Sequence, residues 1–255
     1  MVVLACLFTL FFVIPLAALV IRAVEHERIA DHLRDPMVAD ALRLSLMTSL
    51  SSLAIAVVIG TPVAYLLARW RFRGRRLIET LLDLPIVLPP VVAGVALLMA
   101  FGRRGLLGSE LDLLGIRLPF TTLGVIVAQL FVAAPFYVRS AKAGFAGIDR
   151  DIEAAAEIDG ASTWRILRDV SMPAALPAIA AGAVLCWARA LSEFGATLLF
   201  AGNLQGRTQT MPLAIMTAFE SSLGAALALS VILLVISFLI LFVSRLVTQG
   251  DRGML

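Results

Sequence analysis

The sequence predicts an all-α, polytopic membrane protein with about six transmembrane helices and one charged helical loop. Three observations carry that prediction. Hydrophobic residues fill 60% of the 255 positions and charged residues only 15%, against roughly a quarter charged in a soluble domain. The mean hydropathy is +0.97, more apolar side chain than a globule of this length can hide, so the surplus faces lipid. Apolar runs also recur at bilayer-crossing length, for which about 20 helical residues suffice. Helices satisfy their own backbone hydrogen bonds in lipid, so they are the expected spanning element.

The spans follow in order. The first covers 2–21, a long apolar run without the basic n-region of a signal peptide, expected as an uncleaved helix. The second covers 44–68 and ends near Pro62 and Tyr65. The third covers 85–101 and begins in Leu84-Pro85-Ile86-Val87-Leu88-Pro89-Pro90. The remaining spans are expected at 120–138, 174–200 and 224–244. Cys6 and Cys186 sit inside apolar runs, without metal-ligand spacing, and read as small buried residues. His26 and His32 lie in a polar loop and are not expected to bind metal. The chain thus reads as one transmembrane domain over 1–255.

Charge placement sets the orientation. The net charge is +3, and Lys142 is the only lysine among 21 basic residues. Arg69, Arg71, Arg73, Arg75 and Arg76 cluster after the second span. Arg139, Lys142, Arg150, Arg165 and Arg168 follow the fourth, and Arg245 and Arg252 follow the sixth. The other side holds Arg22, Arg28, Arg34, Arg43, Arg103, Arg104, Arg117 and Arg207. The bias of 12 to 8 predicts that both termini are cytoplasmic. The arginines lie between apolar runs, so they point to membrane topology and not to nucleic acid.

Segment 139–173 differs from the other loops. Ile148, Ile152, Ala155 and Ala156 share a helical face. Gly160 interrupts the pattern, a second stripe follows with Trp164, Leu167 and Val170, and Pro173 precedes the fifth span. Two short amphipathic helices hinged at a glycine fit either a docking surface for a partner protein or a helix lying on the membrane interface.

Catalytic motifs are missing. No G-x-x-x-x-G-K-[ST] loop exists, because Lys142 is preceded by Arg139-Ser140-Ala141. Neither H-E-x-x-H nor G-x-S-x-G occurs. The main intramembrane charges are Arg189 and Glu193, at i and i+4, positioned to neutralise each other. They stand either beside a translocation path or as a self-paired couple that holds helices in register. After the fifth span, Gly202-Asn203-Leu204-Gln205-Gly206-Arg207-Thr208-Gln209-Thr210 gathers donors on the predicted outer side, as an outer gate or as a solvated turn.

The loop Glu153-Ala154-Ala155-Ala156-Glu157-Ile158-Asp159-Gly160-Ala161-Ser162, followed by Val170-Ser171-Met172-Pro173, resembles the EAA loop of bacterial ABC importer permeases, EAA-x3-G-x9-I-x-L-P. Counted back from Gly160, the motif's Glu falls on Ala154, with Glu153 one residue early. Val170 and Met172 replace the usual Ile and Leu. From about residue 44 onward the chain resembles the molybdate and sulfate permeases. The resemblance is carried by Thr61–Arg69, Leu82–Gly94 and Phe101-Gly102-Arg103-Arg104-Gly105. It continues in Ala188-Arg189-Ala190-Leu191-Ser192-Glu193-Phe194-Gly195-Ala196-Thr197 and Gly206-Arg207-Thr208-Gln209-Thr210-Met211-Pro212. These last stretches are similar to the molybdate branch. Sulfate permeases usually carry Tyr where Phe194 stands, and the family usually has Gly where Ser192 stands.

The resemblance implies an alternating-access permease for molybdate or tungstate in a prokaryotic plasma (inner) membrane. It implies a homodimer of this chain, two cytoplasmic ABC ATPase subunits, and a periplasmic or lipid-anchored oxyanion-binding protein. ATP and Mg would sit on the ATPase partners, with no cofactor on this chain. Glu153, Ala154, Ala155, Glu157, Gly160, Ala161, Ser162 and Pro173 are then the expected ATPase-coupling residues. Arg189, Ser192, Glu193, Gly195, Asn203, Arg207, Thr208 and Gln209 are the candidates for the path and gate. A permease for sulfate, thiosulfate or another small solute is the alternative within transport. The missing catalytic constellation weighs against a membrane enzyme, and the EAA-like loop against a scaffold.

Overall fold

The computed structural model describes residues 1–25 and 36–250, with side chains to residue 242. His26, His32, Arg28, Arg34 and Arg252 lie outside the described residues, as does the side chain of Arg245. Among the described residues all regular structure is helical. The helices are α1 Val2–Glu25, α2 Pro36–Arg69, α3 Arg75–Val87, α4 Pro90–Phe101, α5 Gly108–Leu113 and α6 Thr122–Ala146. They continue with α7 Arg150–Ile158, α8 Thr163–Ile166, a π-helical turn Leu167–Ser171, α9 Met172–Leu191, α10 Gly195–Ala201, α11 Met211–Ser221 and α12 Leu223–Gly250. Among the described residues five stretches are long and apolar enough to cross a bilayer: α1, α2, α6, the continuous run Thr163–Leu191, and α12; α4 is a shorter apolar helix.

The chain divides into two compact units. The larger spans 46–202 and 240–255, and its core lies where α2, α6 and α9 meet. Small residues let these helices approach, with Ala64, Ala68, Ala133, Ala141, Ala175 and Ala190 all buried. A Cβ on Gly182 would sit 2.7 Å from Ser140 Cβ, and one on Gly144 would sit 2.5 Å from Ala178 Cβ. Glycine is therefore required where α6 meets α9. Polar side chains tie the same helices. Trp187 Nε1 donates to Ser49 Oγ at 3.0 Å, and Ser52 Oγ donates to the Ile126 carbonyl at 2.9 Å. The Thr61 and Tyr137 hydroxyls lie 2.5 Å apart. Such bonds hold spanning helices together where lipid offers no hydrophobic drive between them. The smaller unit, 1–45 and 203–239, packs Val38 and Ala41 against Met211, Ala214, Ala218 and Leu229. Ser45 Oγ accepts the Met211 amide at 2.7 Å.

Several elements differ from the sequence expectation. The third span, expected over 85–101, is broken between α3 and α4. Neither Pro89 nor Pro90 has an amide hydrogen, and each pushes the residue before it out of helical geometry. Leu88 and Pro89 are accordingly extended, with ψ of 134° and 133°. What remains, α4, has 12 residues, about 18 Å of helix. The fifth span, expected over 174–200, breaks at 192–194 between α9 and α10. The fourth runs on to Ala146, eight residues past its expected end, because Arg139 and Lys142 find carboxylate partners on α3. The sequence expectation has no counterpart of α11; it is 11 residues long, too short to register as a span.

Candidate functional site

The segment after α6 is built as an exposed elbow. Asp149 opens α7 by accepting the Asp151 amide at 3.0 Å. None of the residues of α7 is buried. The helix ends in a Schellman turn: the Ala161 amide donates to the Ala156 carbonyl and the Gly160 amide to that of Glu157, both at 3.0 Å. Gly160 has φ +81°, and a Cβ there would meet only open space, so glycine is needed for backbone conformation alone. Ser162 caps α8 by accepting the Arg165 amide at 3.4 Å. Around this turn Ile158 is 86% and Trp164 65% exposed. Two large apolar side chains stand out between Glu157, Asp159 and Arg165, all of them exposed.

The expected stripe Trp164, Leu167 and Val170 is not one face. Leu167 is buried while Trp164 is exposed. The backbone widens to a π turn, with the Met172 amide donating to the Leu167 carbonyl, and this changes the angular step between residues. Pro173 explains the widening: its ring crowds the carbonyl one helical turn back and offers it no donor. Pro173 itself is exposed at the start of α9.

The π turn aims Ser171 inward at Glu153. Ser171 Oγ donates to Glu153 Oε1 at 2.6 Å, and Arg69 Nε lies 2.8 Å from Glu153 Oε2. Arg69 Nη2 also donates to the Ile148 carbonyl at 3.1 Å. The Arg69 and Glu153 side chains are only 8% and 13% exposed. One carboxylate therefore binds the elbow to the ends of α2 and α9. Of the expected coupling residues, Glu153 faces into the protein. Ala154, Ala155, Glu157, Gly160 and Ser162 are exposed or nearly so, and Ala161 is half-buried. Arg69 and Ser171 are not among the residues that sequence reasoning singles out for the elbow. The one local signal is that Arg69 directly follows the last apolar residue of its span.

Arg189 and Glu193 do pair, with Arg189 Nη2 2.6 Å from Glu193 Oε2. The carboxylate also caps α10, because Glu193 Oε1 accepts the Ala196 amide at 2.7 Å. This explains the break in the fifth span, since the chain turns at Ser192–Phe194 to bring a buried acid onto the next helix. Ser192 Oγ donates to the Arg189 carbonyl at 3.2 Å. Gly195 sits against the other broken helix, where a Cβ would be 3.0 Å from Pro90 Cβ. Glu193 is 1% and Arg189 26% exposed, so the pair is open to its surroundings only through the guanidinium.

In the loop after α10, Asn203 Nδ2 donates to Thr217 Oγ1 at 2.9 Å and Gln209 Nε2 to the same oxygen at 3.3 Å. Thr208 Oγ1 accepts the Leu204 amide at 2.9 Å. Three of the four expected gate residues thus hold this loop in shape, and Arg207 is the exposed one. Among the described residues no cluster of His, Cys, Asp and Glu is arranged to hold a metal ion.

Residues 56–251 match the family model of the binding-protein-dependent transport system inner membrane component. The chain is 42% identical over 230 residues to the molybdenum transport system permease protein ModB of Mycobacterium tuberculosis, covering 90% of this chain and 87% of that protein. It is 39% identical over 192 residues to the molybdate/tungstate transport system permease protein WtpB of Thermococcus kodakarensis, covering 75% of this chain and 72% of that protein. In fold it is similar to a chain of a bacterial ABC transporter that imports the acidic polysaccharide alginate. The TM-score there is 0.79 at 16% identity, with 98% of this chain and 94% of that one covered. The MetNI methionine ABC transporter gives a TM-score of 0.65 at 18% identity, covering 84% of this chain and 95% of that one.

Proposed function

We infer that this chain, which belongs to the family of binding-protein-dependent transport system inner membrane components, is the spanning subunit of an ATP-driven importer for molybdate or tungstate. It is a multi-pass membrane transport component and not an enzyme. Its identity to molybdenum permeases over most of its length supports the substrate class. The importer reading rests on one feature of the geometry: an exposed helix and glycine turn whose base is clamped to two spans by Glu153. Such an elbow offers Ile158 and Trp164 to an apolar cleft, while the acids around them suit a basic rim. A partner that moves the elbow moves α2 and α9 with it.

In this reading two copies form the pore, in a prokaryotic inner membrane with both termini cytoplasmic. Two ATPase subunits receive the elbows and hold ATP and Mg, and a periplasmic or lipid-anchored binding protein delivers the oxyanion. A dianion in bare hydrocarbon is prohibitively costly, so its path needs polar lining. Discontinuous helices often supply such lining in transporters. Here the breaks at 88–90 and 192–195 meet at Gly195 and Pro90, beside the Arg189–Glu193 pair. Neutralised by its arginine and by the α10 amide, Glu193 does not repel an anion as a bare carboxylate would. The test is ATP hydrolysis by the reconstituted complex. The binding protein loaded with molybdate should stimulate it well above the same protein loaded with sulfate or left empty. Equal stimulation by all three would remove the substrate assignment.

A further inference from the structure

The buried face of α9 runs through Ala175, Ile179, Gly182, Cys186 and Ala190, at the three- and four-residue steps of a straight α-helix. Each residue turns such a helix by about 100°, so seven residues fall about 20° short of two full turns. Counted back from Ala175, a straight helix would therefore put Arg168 on the buried face. Leu167, eight residues back, would stand about 80° away from Ala175. The structure shows the reverse. The Arg168 side chain is 72% exposed, while Leu167 is 5% exposed and belongs to the core cluster of Tyr65 and Phe145.

The difference is one residue of helical phase, and the π turn Leu167–Ser171 supplies it. A π turn holds one residue more than the α turn it replaces. Here the Met172 amide reaches back five residues to the Leu167 carbonyl. Pro173 follows directly. It has no amide with which to close an α turn on Asp169, and its ring crowds that carbonyl. Leu167, in the register of the elbow, and Ser171, in the register of α9, thus both face the interior.

We propose that Pro173 is a positioning residue: through the π turn it sets the rotational register between the elbow and α9. Its role is internal to the chain and needs no contact with a partner. An amide restored at position 173 closes the α turn on Asp169. The elbow then rotates by about 100° about the axis of α9. That rotation carries Leu167 out of the core, brings Arg168 in, and takes Glu153 away from Ser171. Removing one residue between Leu167 and Ser171 cancels it. The consequence for transport rests on the elbow receiving the ATPase, as inferred above; the register itself does not.

The test combines two changes of opposite phase, Pro173→Ala and deletion of Asp169, an exposed residue. Single cysteines at 167 or 168 are labelled with a water-soluble maleimide in the full chain in nanodiscs. The exposed native Cys6 is first changed to Ser; Cys186 is buried. With Pro173 in place, position 168 should react and position 167 should not. Pro173→Ala should exchange the two, and deletion of Asp169 in that background should restore the first pattern. Amides of α7 should exchange at least about tenfold faster in Pro173→Ala, as Glu153 loses its bond from Ser171, and return to near the wild-type rate in the double variant. In the reconstituted complex, transport per ATP hydrolysed should fall in each single variant and recover in the double. Position 167 staying unreactive in Pro173→Ala, or damage that adds in the double variant instead of cancelling, would overturn the proposal. So would reactivity at both positions in Pro173→Ala without recovery in the double variant. Restored labelling without restored transport would overturn the role in coupling. A wild type that drives no ATP-dependent uptake would remove the importer reading, and the labelling pattern would still decide the register.

Discussion

Removing the Glu153 carboxylate should release the elbow while leaving the spans in place. In Glu153→Ala the Arg69 guanidinium, 8% exposed, keeps only its bond to the Ile148 carbonyl, and buried Ser171 loses its acceptor. Breaking a buried ion pair by deleting one partner costs about 3–5 kcal/mol. The remaining bond and the 13% exposure of Glu153 put this site at the low end. A loss of about 3 kcal/mol is roughly a 100-fold shift in the equilibrium between docked and released α7. Glu153→Gln keeps an acceptor for Ser171 and should lose about half as much. Hydrogen exchange on the complex in nanodiscs reads this directly. Amides of α7 and the turn after it should exchange roughly 100-fold faster in the Ala variant, with those in the middle of α6 unchanged. Arg69→Ala should match it, and the double variant should add little, because both changes remove the same contact. Unchanged exchange in α7, or fully additive single effects, would refute the clamp.

Other expectations follow from the same geometry. Gly160→Ala forces a side chain into the left-handed region at a cost of about 1–2 kcal/mol; transport per ATP hydrolysed should fall while detergent-solubilised yield stays normal. Glu79 is held below the usual carboxylate range, first by its bond from Lys142 and then by that from Arg75. Its contribution to docking α3 is therefore complete above the ordinary Glu range and is lost only as pH falls through the depressed value. Acid titration of tryptophan emission should show that step in the wild type, and Glu79→Gln should abolish it. Gly182→Leu should prevent α6 and α9 from closing, because a Cβ alone already meets Ser140 at 2.7 Å; a thermal-shift assay should find it among the most destabilised single variants. Cysteine placed at 189 should react with a water-soluble thiol reagent in one transport state of the complex, and inaccessibility in every state would remove Arg189 from the path.

What can be read from sequence depends on how local its cause is. Long apolar runs make α1, α2, α6 and α12 legible, because a bilayer imposes a length and a composition that one stretch of chain must meet by itself. The elbow is legible for a similar reason: Asp149, Gly160 and Ser162 act on backbone within a few residues of themselves. Pro89-Pro90 is visible in the sequence, but a proline pair beside an apolar run marks the start of a span as readily as a break within one. The break at Glu193 is harder. The i, i+4 spacing gives its ion pair with Arg189 but not the carboxylate's second bond, to Ala196, which holds the start of α10. Arg69 and Glu153 are separated in sequence by four whole helices, α3 to α6. No local pattern announces their pairing, so Glu153 reads as a residue for the partner when it serves the protein's own interior.

The most direct measurement is uptake into proteoliposomes containing this chain, its ATPase partner inside and its binding protein outside. ATP-dependent accumulation of labelled molybdate, with excess unlabelled sulfate unable to compete it away, is the result this account predicts. Efficient uptake of labelled sulfate without uptake of molybdate would contradict it.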